Sequence, residues 1–140
     1  GCAYRKKILE LVGFFDEENF RTAGEDLDMY LKIREYGKIA YPDCEIIHMH
    51  TTDFKNRIKK TYQNANGYGA IFRIHGRKLD NWYIGISRAI PVFGILSFML
   101  SYPFRKSILL YLPYIIAIPM LHVIYSYGFW KGFLMKKQTV

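Results

Sequence analysis

Three carboxylates stand together in Gly24-Glu25-Asp26-Leu27-Asp28, where an irregular stretch gives way to helical spacing. A carboxylate at such a junction is exposed yet held, which suits a general base that takes a proton from a hydroxyl. Successive helical residues turn by about 100°, so Glu25, Asp26 and Asp28 cannot all face one way. One can point into a cleft while another caps backbone amides. An acidic first turn also serves a helix with no chemistry at all, because the helix dipole favours negative charge there. The second pattern is His48-Met49-His50. Alternation along a strand puts both histidines on one face, where a carboxylate from elsewhere could complete a metal site. Two histidines alone do not make one, and a polar strand end reads the same way.

The elements that must position these groups follow from periodicity and stop signals. Tyr4 to Val12 reads as a short helix stopped by Gly13, and residues 14–24 as an irregular loop. Residues 25–36 form a stronger helix, with Leu27, Tyr30, Leu31 and Arg34 at helical spacing and Gly37 as its stop. Two short strands are expected next, Lys38–Tyr41 ended by Pro42 and Glu45–His48. Residues 53–75 read as a long basic amphipathic helix capped by Thr52 or Asp53. Phe54, Ile58, Tyr62, Ala65, Gly69 and Phe72 share one face. Lys55, Arg57, Lys59, Lys60 and Arg73 spread around the rest. Such a helix suits a membrane surface, and Gly67 and Gly69 argue against an unbroken one.

Charge is distributed unevenly over the 140 residues. All twelve acidic residues fall between Glu10 and Asp80, whereas six basic residues and no acid follow Asp80. The net charge of +8 therefore sits mostly beside apolar stretches. That disfavours a nucleic-acid binder, which concentrates charge on a polar face, and fits the flanks of membrane segments. Ile108 to Tyr127 is a run of twenty residues without charge, about the length that spans a bilayer. Ala89 to Phe104 is a shorter apolar run preceded by Trp82 and Tyr83, either spanning or lying in the interface. With Arg105 and Lys106 at the turn, the two read as a hairpin whose basic ends face the cytosol. Cys2 and Cys44 are isolated and form no metal or disulfide pattern, which fits reduced thiols. No signal peptide is visible, and the chain reads as if it opens inside a domain.

The order of features resembles the C-terminal half of family 2 glycosyltransferases. The carrying residues are Gly1-Cys2-Ala3-Tyr4-Arg5-Lys6, Val12-Gly13-Phe14-Phe15-Asp16-Glu17, and Gly24 through Arg34. Gly37-Lys38-Ile39-Ala40-Tyr41-Pro42 and Ile46-Ile47-His48-Met49-His50 complete the series, so the likeness covers roughly residues 1–50. The resemblance implies an α/β fold: an incomplete GT-A-like domain, its C-terminal part, followed by a membrane-associated helical hairpin. It implies inverting transfer from a nucleotide-sugar donor to a lipid-linked or polysaccharide acceptor at the cytosolic face of the cell membrane. Asp26 maps onto the catalytic base and Glu25 onto an acceptor-positioning residue. Asp28 and Arg34 map onto structural roles, and His48 onto a histidine near the metal and diphosphate. A divalent metal, Mg²⁺ or Mn²⁺, is expected in the complete enzyme. The family's Asp-x-Asp motif and donor-binding strands precede the base and have no counterpart before Gly24. The chain alone is therefore expected to be inactive.

Three segments result: 1–52 as the acceptor side of the catalytic domain, 53–81 as a basic membrane-surface helix, and 82–140 as the hydrophobic hairpin. The alternative is a small non-catalytic membrane protein that binds anionic lipid or a partner through its basic helix.

Overall fold

The computed structural model describes residues 3–37, 40, 53–80, 82–101 and 112–135. Helix α1 covers Lys6–Val12, α2 Glu25–Ile33 and α3 Phe54–His75. A single 3-10 turn follows at Gly76–Lys78, then α4 at Trp82–Ala89, α5 at Pro91–Ser101 and α6 at Leu112–Leu134.

Local chemistry sets the ends of these helices. Asp53 caps α3 by accepting from the backbone N–H of Lys55 at 3.4 Å and of Asn56 at 3.2 Å, a contact worth about 1 kcal/mol. Gly76 ends the helix with a φ of +50°. Pro91 opens α5 at the one helical position where a missing N–H costs nothing. The carbonyl of Ala89, left over at the end of α4, accepts from Ser126 Oγ and from Trp130 Nε1 at 3.1 Å. Two residues one turn apart on α6 thus satisfy one orphan acceptor.

Packing centres on α3. One side of it meets α2 and the loop before it through Phe20, Leu31, Ala70 and Ile71. The other side meets α4 and α6 through Ala65, Phe72, Ala89 and Phe129. Phe72 and Phe129 pack edge to face at 5.3 Å, and Gly85 of α4 lies against the Phe72 ring. Glycines let α3 and α6 touch backbone to backbone. A methyl group on Gly69 would strike the Phe129 carbonyl and the Phe133 amide, and one on Gly132 would strike the Asn66 backbone. On α6, Gly128 and Gly132 stand four apart and form the small-residue stripe that such an approach requires. Where α5 meets α6, Gly94 lies against His122, whose pKa burial and the Arg88 guanidinium push below the ordinary histidine value.

This architecture corrects the expected fold class. Among the described residues there is no strand, so they form an all-helical unit and not part of an α/β GT-A-like domain. Their two buried apolar clusters are packed helix on helix, with no sheet taking part. The expected strands Lys38–Tyr41 and Glu45–His48 fall almost wholly outside the described residues, as do Arg105 and Lys106. The spanning reading of the hairpin is not met among the described residues, and residues 102–111, in the middle of it, lie outside them. Among the described residues no helix is long and apolar enough to cross a membrane. α6 carries His122, Ser126 and Lys131 and packs one face on α3.

Alanine at Gly69 or Gly132 is expected to cost about 1–3 kcal/mol or more through overpacking, read as a lower thermal midpoint. At Gly37 a Cβ meets nothing within 4 Å. Alanine there should leave the midpoint near that of the parent chain.

Candidate functional site

The three clustered carboxylates go to three different environments. Asp28 is buried, at 1% exposure, with Oδ1 2.7 Å from His75 Nε2 and Oδ2 2.6 Å from Lys32 Nζ. It ties the first turn of α2 to the end of α3. Asp26, two residues earlier, is exposed. Glu25 is half-buried, and its Oε2 is shielded from water without a hydrogen-bond partner. An unpaired buried acceptor typically costs about 1–3 kcal/mol.

Glu25 and Asp26 line an open cleft of about 560 Å³, together with Phe15, Glu17, Phe20, Arg21 and Thr22. Its opposite wall is the 14–22 loop, which is fixed from below. Asp16 accepts from the Asn19 backbone N–H at 3.0 Å and from Asn19 Nδ2 at 2.8 Å. Arg73 of α3 then donates to Asn19 Oδ1 at 2.8 Å. The loop therefore rides on α3 and does not hang free of it.

Gly24 places the start of α2. Its φ of +102° lies in the left-handed region that favours glycine. Its carbonyl accepts the first helical bond, from the Asp28 N–H at 2.9 Å. A Cβ here would come within 2.9 Å of Phe20 and 3.2 Å of the Gly67 backbone. From the other side, a Cβ on Gly67 would collide with the Ala23 carbonyl. Two bare backbones thus press together directly beneath Glu25 and Asp26. Arg34 secures the far end of α2, donating through Nη2 to the Lys78 carbonyl at 2.5 Å and through Nη1 to Asp80 Oδ2 at 3.4 Å.

An exposed carboxylate on a fixed helix start, beside a second carboxylate with an unfilled acceptor, can receive two hydroxyl protons from one polyol. The structure therefore brings Glu25 and Asp26 together in one cleft and holds Asp28 and Arg34 away from it. His48 and His50 lie outside the described residues, as do Cys2 and Cys44. Among the described residues no group of three His, Cys, Asp or Glu side chains fits a metal ion. Sequence reasoning missed Arg21, Thr22 and Phe15 as cleft residues, His75 as the partner of Asp28, and Gly67 as the seat of Gly24. Only Gly67 carried a signal: a glycine inside a helical pattern marks a close approach.

Asp28→Asn is expected to destabilise the chain by roughly 3 kcal/mol, since it leaves Lys32 without its counter-charge and disturbs the buried contact to His75. Asp26→Asn, on the surface, should stay within about 0.5 kcal/mol of the parent. Chemical denaturation followed by helical circular dichroism separates the two. Compared with protein families, with curated proteins and with solved structures, the chain shows no match.

Proposed function

We propose that the chain forms the acceptor side of an inverting glycosyltransferase acting at a membrane surface, with Asp26 as the general base. The carrying observation is the unequal fate of the carboxylates: Asp28 is buried and paired, whereas Asp26 is exposed on a cleft beside the unfilled acceptor of Glu25. An alcohol is a poor nucleophile near neutral pH, so a carboxylate within hydrogen-bond reach of it is chemically required.

In this mechanism Asp26 accepts the proton of one acceptor hydroxyl as that oxygen attacks the anomeric carbon of a nucleotide-activated sugar. The bond to the nucleotide's diphosphate breaks on the opposite face, and the diphosphate leaves with the electron pair. Configuration inverts, and the protonated Asp26 returns its proton to water. Glu25 accepts from a second hydroxyl and fixes which oxygen reacts. Held by Gly24 against Gly67, the first turn of α2 keeps both carboxylates in register. The divalent metal implied by the resemblance finds no fitting cluster among the described residues, and no step is routed through it. His48, its candidate neighbour, lies outside them.

Membrane attachment is supported by two stripes of exposed apolar side chains. One is Val92, Phe93 and Leu96 on α5, and the other is Met120, Val123 and Tyr127 on α6; Val92 and Tyr127 are each 63% exposed. Patches of this kind mark surfaces that meet a protein partner or a membrane. No acid follows Asp80, so the same region suits anionic headgroups. A lipid-linked or membrane-proximal glycan acceptor fits such a setting. The second reading, a non-catalytic lipid binder, is favoured by Lys55, Arg57, Lys59 and Lys60, which are all exposed on α3.

In membranes of cells expressing the complete coding sequence, Asp26→Asn is expected to lower sugar transfer from labelled nucleotide sugars by about 10²–10⁴-fold. Co-sedimentation with anionic vesicles should be unchanged. Full transfer by the variant would defeat the catalytic assignment and leave lipid binding as the function.

A further inference from the structure

Among the residues of α5 whose surroundings are described, Gly94 alone is buried, whereas Val92, Phe93 and Leu96 are exposed. Among the described residues neither buried cluster of the bundle takes a side chain from this helix. What Gly94 meets is His122 of α6. A Cβ on Gly94 would lie 2.9 Å from Nδ1 of the imidazole and 2.8 Å from the Arg88 carbonyl. The end of α4 is fastened separately, because its Ala89 carbonyl accepts from Ser126 and Trp130 of α6. Between the two helices the chain breaks at Ile90 and Pro91, and Pro91 has no N–H to carry one helix into the next. α5 thus hangs from an anchored base and is held to α6 where a glycine backbone meets an imidazole.

That contact suits a neutral ring and not a charged one. Burial, and after it the Arg88 guanidinium, push the His122 pKa below the ordinary histidine value. An imidazolium here would face Arg88 of α4, and α5 brings no ionisable side chain. The other ionisable groups of α6 are Tyr114, Tyr125, Tyr127 and Lys131, and α3 runs along a different side of α6, at Gly128 and Gly132. No acid follows Asp80, so α4, α5 and α6 hold no carboxylate to balance a charged ring. Once α5 lifts away, water reaches the imidazole and its pKa returns toward the ordinary value. The open form then binds more protons than the closed one, so falling pH favours opening. The closed form keeps its full advantage above the ordinary histidine range and loses it as pH falls through that range toward the lowered pKa. We propose that the crossing of His122 and Gly94 is an acid-released latch that frees α5 from α6. Release turns the half-buried Ile95 outward beside Val92, Phe93 and Leu96 and widens the apolar surface. Protonated histidines open packed interfaces in other pH-sensing proteins by the same physics. The latch stands apart from the Asp26 cleft and needs no transfer reaction.

Hydrogen–deuterium exchange of the full chain, read at about pH 8 and about pH 5 and corrected for the intrinsic pH dependence of exchange, tests the latch. Protection of residues 91–97 is expected to fall about tenfold or more between the two, while residues 65–72 of α3 stay protected. His122→Gln, neutral at both pH values, should hold α5 equally protected at both. Arg88→Gln, at an exposed position, should shrink the acid loss by removing the neighbouring charge. Helical circular dichroism shows whether each variant folds. If His122→Gln does not, Arg88→Gln decides: a smaller acid loss sustains the latch and an unchanged one overturns it. The latch is also overturned if α5 of the parent chain is equally protected at both pH values, or if folded His122→Gln loses protection in acid as the parent does. Equal loss in α3 overturns it as well, since that marks general unfolding.

Discussion

The constraint on which the described structure depends is the bare backbone of α3 at Gly67 and Gly69. One glycine seats the loop that starts α2, and the other admits the backbone of α6. Both contacts are closer than any side chain permits, and both lie within one turn of the same helix. Glycine in a helix interior gives up roughly 1 kcal/mol relative to alanine. That cost is offset by the packing it allows: the Phe20–Ile71 cluster on one side and the Phe72–Phe129 cluster on the other. The candidate site and the hydrophobic tail are thus held by opposite faces of one short segment.

That arrangement gives the carboxylates their separate characters. Asp28 reaches His75 only because α2 lies along the final turns of α3. With Asp28 turned inward, the 100° steps of the helix leave Asp26 outward and Glu25 between them. The three acids are adjacent in sequence, yet one is a structural anchor, one faces solvent on a cleft, and one holds an acceptor without a partner. Arg73 connects the same helix to the loop across the cleft through Asn19. Both walls therefore share a single support, which limits how far they can drift apart.

In the described residues of the apolar C-terminal half, helices pack on one another and on α3. Its helices break at Ile90 and Pro91, and α6 spends one face on α3 through small and aromatic residues. What stays exposed is a set of stripes on α5 and α6, with basic residues and no acids nearby in sequence. Composition averages over all faces of a helix. It registers the same apolar content whether that content meets lipid or a neighbouring helix.

By itself the sequence determined the helices and their ends: α1, α2 and α3 fall close to where periodicity, Asp53 and the glycines place them, and the irregular 14–24 loop is there too. Capping and periodicity are local, so they are legible one segment at a time. The resemblance implied an α/β domain, whereas the described residues pack as helices alone. The acidic cluster was visible as a candidate site, but not which acid would be buried. Only the tertiary structure decided that, by bringing His75 to Asp28 across 47 residues and Gly67 to Gly24 across 43. Such contacts depend on which faces of distant helices meet. No spacing within either helix records that choice.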